Sequence, residues 1–92
     1  MDRQVLEEDR QALVKLLAEV TDETVMEALL EDLCTKKETE NMAERVRAAK
    51  LLLEGKTYAQ VIAQTELSSA TLSRVSRALR YGTGYAAVLK KP

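Results

Sequence analysis

The chain of 92 residues is long enough for one small domain; it carries 14 Lys+Arg against 15 Asp+Glu, no His and one Cys. Without an imidazole there is no base for a Ser-His or Cys-His nucleophile, and one thiol neither closes a zinc site nor forms an intrachain disulfide. The net charge of −1 hides a split: residues 1–55 hold 8 basic and 14 acidic side chains, whereas residues 56–92 hold 6 basic and 1 acidic.

A basic C-terminal part behind an acidic one points to an anionic partner. The start, Met1-Asp2-Arg3-Gln4, runs into charged residues rather than the apolar run of a signal peptide. No apolar stretch approaches the roughly 20 residues of a membrane span. A cytoplasmic location with no membrane partner is therefore expected, and the lone Cys fits a reducing compartment. With no Trp, no Phe and three Tyr, the core must be aliphatic and thin for a monomer, so oligomerisation is expected.

Residues 3–20 place Leu6, Leu13, Leu16, Leu17 and Val20 mostly at steps of three, four and seven, predicting an amphipathic helix. Glu7-Glu8-Asp9 within it reads as a solvated face rather than a metal cluster. Thr21 and Asp22 offer N-caps for a second helix striped with Val25, Met26, Leu29, Leu30 and Leu33. Cys34 at its end is expected to be a buried, unreactive thiol. Thr35 with Glu38 makes a capping box for a third helix that runs to about Glu54 and stops at Gly55. Its end, Leu51-Leu52-Leu53, is apolar on consecutive positions, as in a helix buried on several sides. Lys36, Lys37 and Lys50 are expected in solvent.

Thr57 with Gln60 is another capping box, opening a short helix over 58–65 with Val61 and Ile62 as inward anchors. A break follows at Glu66-Leu67-Ser68. Ser69 is expected to cap a helix over 70–81 with Leu72, Val75 and Leu79 inward, ended by Gly82 and Gly84. Residues 85–89 form a last short helix or a tail. Tyr58, Tyr81 and Tyr85 are expected to pack around this pair of helices. No segment alternates with period two. The fold class is all-α, with five or six helices in a single domain over 1–92: dimerisation helices in 1–55, a helix pair in 56–82, and a C-terminal tail or short helix in 83–92.

The pair 58–65 and 70–81, joined by a short turn, has the layout of a helix-turn-helix. Its second helix would lie in the major groove of double-stranded DNA, with Ser69, Ala70, Thr71, Ser73 and Arg74 outward near its start. Small side chains there let the backbone approach the bases, hydroxyls donate or accept, and Arg74 forks onto guanine. Lys56, Arg77 and Arg80 suit phosphates. The same spacing also fits a plain helical bundle, and the macrodipole alone favours cations in the last turns where Arg77 and Arg80 stand. A tight turn favours Gly where φ is positive, yet Glu66 or Leu67 stands there, so a wider turn is expected.

The stretch from Asp32 to Leu89 resembles the Trp-repressor-like family of the YerC/YecD type. The likeness rests on DLCT at 32–35, EGKTY at 54–58, SATLSR at 69–74 and RYG at 80–82. The more distant Trp repressor branch shares Arg45-Val46-Arg47 with Leu52-Leu53, and Ala70-Thr71-x-Ser73-Arg74. The resemblance implies an intertwined, all-helical homodimer presenting two helix-turn-helix heads to DNA as a transcriptional regulator. It also places Arg45 and Arg74 where two arginines of the tryptophan pocket stand. Val75 replaces a Gly there and Ala78 a Ser; the added bulk and the lost polar contact predict that L-tryptophan is not the ligand. No cofactor or metal is expected, and Arg45 and Arg74 leave a place for a small-molecule effector. Glu66 also stands where the family commonly has Gly.

The first expectation is therefore a sequence-specific DNA-binding regulator that acts as a homodimer and is not an enzyme. The alternative is a helical dimerisation or protein-interaction module without DNA binding, motivated by the acidic N-terminal half and by Glu66.

Overall fold

In the computed structural model, residues 2–90 are described. They form six helices and, among these residues, no strand: α1 (Arg3–Glu19), α2 (Glu23–Leu33), α3 (Lys36–Leu53), α4 (Tyr58–Gln64), α5 (Ser69–Tyr81) and α6 (Gly84–Leu89). The all-α expectation holds, with a sixth helix where a tail was the other option. The chain divides into two compact units, one ending at Lys36 and one beginning at Lys37.

The first unit is a pair of capped helices. The Asp2 carboxylate accepts the Gln4 N–H at 2.9 Å, and the Asp22 carboxylate accepts the Thr24 N–H at 3.3 Å. Each thereby satisfies a first-turn donor that has no partner within its helix. Of the two N-cap candidates, Asp22 takes the role and Thr21 stays outside. Arg10 hydrogen-bonds the Glu7 carboxylate and holds this exposed acid below its ordinary pKa. Neither helix contains a buried residue. Leu6, Leu13, Leu16, Val25 and Leu33 stay exposed, and Leu17, Val20, Met26, Leu29 and Leu30 are half-buried. Cys34, expected to be buried, is only half-buried, because it caps α2 instead of lying on its apolar face; its N–H reaches the Leu30 carbonyl at 2.9 Å.

The second unit holds the core. Ala48 and Ala49 of α3 pack with Val61 of α4 and with Leu72, Val75 and Leu79 of α5. Leu51, Leu52, Leu67, Tyr85 and Leu89 close over this cluster. The two alanines let α3 approach its neighbours closely. Ile62, expected inward beside Val61, is instead 37% exposed. Adjacent helical residues diverge by about 100°, and Val61 alone takes the inward direction.

The end of α3 explains where α4 begins. The Lys56 N–H donates to the Leu51 carbonyl and the Gly55 N–H to the Leu52 carbonyl, which is the Schellman pairing. That motif requires a left-handed residue, and Gly55 supplies it at φ +91°. Thr57 then caps α4 reciprocally: the Gln60 N–H donates to Thr57 Oγ1 at 3.1 Å, and the Thr57 N–H to Gln60 Oε1 at 2.8 Å. Lys56 is thus held between a helix stop and a helix start.

Candidate nucleic-acid interface

The turn between α4 and α5 spans 65–68 and uses no left-handed residue; among the described residues only Gly55 has positive φ. The turn is therefore the wider kind that Glu66 and Leu67 require, and side chains hold it. The Thr65 hydroxyl donates to the Val61 carbonyl at 2.9 Å and accepts the Leu67 N–H at 3.4 Å. The Glu44 carboxylate of α3 accepts the Glu66 N–H at 2.7 Å. Ser68, not Ser69, is the N-cap of α5, accepting the Thr71 N–H at 3.1 Å. The helix consequently starts at Ser69, one residue earlier than expected.

This cap orients the first turn of α5. Leu72, Val75 and Leu79 point into the core, so the opposite side, about 180° away, is formed by Ala70, Arg74, Arg77 and Tyr81, with Ser73 beside them. Ser69, Ala70, Ser73, Arg74 and Arg77 are all exposed. None of these arginines is in an ion pair; among the described residues the one salt bridge is Arg10–Glu7. Thr71 stands apart from its neighbours. It is half-buried, and its hydroxyl accepts from Ser68 Oγ at 3.1 Å. Arg80 is exposed on the other flank, the side of Lys56.

Two further placements matter. Arg45 of α3 and Arg74 of α5 line one cavity of about 200 Å³, together with Thr71, Val75 and Tyr85. The pairing of these arginines, implied by resemblance, is a fact of the structure. Tyr85 was not foreseen there; α6 delivers it after the chain turns at Gly82. Tyr81, expected to pack, is 76% exposed at the end of the outward face. The steps from Ala70 to Arg74, Arg77 and Tyr81 are four, three and four, a signal that was available in the sequence. Tyr58 is also exposed, and Tyr85 alone of the three rings packs on the core.

The family model for the Trp repressor protein matches residues 8–92. The chain belongs to this family. YerC of Bacillus subtilis, a protein described as uncharacterized, is 46% identical over 52 residues, which is 56% of this chain and 50% of YerC. The match thus spans about half the length of that relative. Two crystal structures are similar as well. A candidate Trp repressor from Staphylococcus aureus superposes with TM-score 0.83 at 28% identity, over 98% of this chain and 92% of that one. A TrpR-like protein from Eubacterium eligens gives TM-score 0.74 at 36% identity, over 97% and 89%. Similarity over nearly the full chain fits the family's helical scaffold to all six elements. No helix among the described residues is long and apolar enough to cross a membrane.

Proposed function

We propose that this protein is a DNA-binding transcriptional regulator that works as a homodimer in the cytoplasm, with one helix-turn-helix head per protomer. One observation carries the reading: the core-opposed face of α5 presents Ala70, Ser73, Arg74 and Arg77 exposed, with the arginines free of carboxylate partners. Such a face combines close backbone approach with charge aimed at phosphate and guanine. Ser69, Ala70, Ser73 and Arg74 contact bases, and Lys56, Arg77 and Arg80 hold phosphates. Thr71 offers its methyl group to a base, since its hydroxyl is engaged by Ser68.

The homodimer is supported by the first unit, whose apolar stripe is left uncovered within one chain. Burying a Leu contributes roughly 1.5–3 kcal/mol, so a second copy covering five such residues would far exceed what a 92-residue monomer core provides. The Arg45–Arg74 cavity supports a small anionic effector at most. Ligand sites are typically about 300–1,000 Å³, and Val75 and Tyr85 narrow this one to about 200 Å³. L-tryptophan is therefore not its ligand.

The test is fluorescence anisotropy of a random-sequence duplex titrated with protein at rising salt. The reading expects binding that weakens steeply between about 50 and 200 mM salt, because each phosphate contact releases counterions. Absence of binding at low salt would favour a protein-interaction module instead.

A further inference from the structure

A second charged feature lies beside the base-reading face. Lys56 from the α3–α4 link, Arg80 from the last turn of α5 and Lys90 at the end of α6 line one open cleft of about 330 Å³. These cations come from three separate parts of the chain, spaced 24 and 10 residues apart in sequence. No carboxylate lines the cleft, and none of the three is in an ion pair among the described residues. Bringing like charges together costs energy unless an anion offsets it. The cleft floor is apolar, formed by Leu52, Leu53 and Leu79, and low-dielectric walls focus the field of the cations into the opening. Tyr58 and Ser76 add two hydroxyls that can donate to an anion's oxygens.

The location selects the anion. Ser76 and Arg80 are one turn apart on α5, on the flank next to Arg77. A strand bordering the groove that α5 enters would therefore pass this cleft. We propose that Lys56, Arg80 and Lys90 together hold one backbone phosphate of the DNA strand flanking the α5 groove, so that α6 is a DNA-docking element and Lys90 a phosphate ligand. The inference rests on the DNA-binding reading, which places Lys56 and Arg80 at phosphates; the shared cleft, its two hydroxyls and Lys90 go beyond it. The floor and the single-sided charge fit a phosphodiester with its sugars better than a fully ionised, fully hydrated free anion.

The experiment measures the slope of log affinity against log salt for a random-sequence duplex, with full-length wild type, Lys90→Ala, Lys90→Arg and Lys15→Ala. Circular dichroism melts verify that each variant is folded. Lys90→Ala is expected to lower the slope magnitude by about 0.9 per bound protomer. Lys90→Arg restores it, and Lys15→Ala, which removes the same charge from α1, leaves it unchanged. Ethylation interference on a bound fragment should lose one flanking phosphate in Lys90→Ala. Wild-type slope in Lys90→Ala, or an equal drop in Lys15→Ala, overturns the cleft while the helix-turn-helix reading stands. Absence of salt-sensitive binding by the wild type overturns both.

Discussion

The Glu44 carboxylate on α3 accepts the backbone N–H of Glu66 at 2.7 Å, tying the turn of the helix pair to a helix 22 residues earlier. The bond is charge-assisted and fills a donor that the turn itself leaves open. It also offers a physical reason why Glu66 is tolerated where the family commonly has Gly: the turn bends through extended residues anchored by side chains, and φ stays negative throughout.

Removing that carboxylate should loosen the turn. Glu44→Ala is expected to cost about 0.5–1.5 kcal/mol, since the site is exposed and water replaces part of the bond. Glu44→Gln keeps an acceptor and should lose less. Amide hydrogen exchange checks this directly: the Glu66 N–H should exchange faster in Glu44→Ala, and unchanged protection would remove the anchor from the account.

Gly82 is required by space rather than by φ. A Cβ there would stand 2.7 Å from the Ala78 carbonyl oxygen, which also accepts the Gly82 N–H. Gly82→Ala is expected to destabilise by about 1–3 kcal/mol and to displace α6. Thermal melts give the first effect, and Tyr85 fluorescence or its ring NMR shifts give the second. At Gly55 the space is open, yet φ +91° makes Gly55→Ala costly by about 1–2 kcal/mol for another reason.

The uncovered stripe of the first unit predicts an obligate second copy. Light scattering of the wild type at micromolar concentration should give twice the 10.3 kDa chain mass. Leu16→Glu places a charge in that stripe and should shift the mass toward one chain, with a lower melting temperature. A stable, fully folded wild-type monomer would contradict the dimer.

The two arginines on the outward face of α5 should behave differently. Arg74→Ala is expected to relax preference at one base by about 1–3 kcal/mol, whereas Arg77→Ala should weaken all sequences alike and reduce the salt slope by about 1. Competition binding against single-base variants separates the two, and identical behaviour of the variants would reassign Arg74.

Much of this was legible because its physics is local. The Thr57/Gln60 box, the Gly55 stop and the Leu72-Val75-Leu79 spacing each depend on residues within a turn of one another, and each forms as read. Ser68 and Ser69 are both good caps, and the choice between them follows from a Thr71 contact that spacing does not rank. Ile62 and Cys34 are apolar enough for a core, but helix phase and a cap position put them partly outside. The site splits in the same way. The small and basic residues of α5 were visible as a face, while Tyr81 on that face was missed. Contacts between distant segments carry no sequence period: Glu44 with Glu66, Tyr85 beside Arg45 and Arg74, and Lys90 beside Lys56 emerge only from the fold. Arg45 with Arg74 was anticipated through family resemblance alone.

The central claim is that the α5 face reads DNA sequence as part of a symmetric pair. The direct measurement is selection of bound fragments from sheared genomic DNA of the source organism, with purified protein at low and moderate salt and no added ligand. The account predicts enrichment of a pseudo-palindrome whose half-sites lie about 34–36 Å apart along the duplex. Failure to retain DNA even at low salt would contradict it.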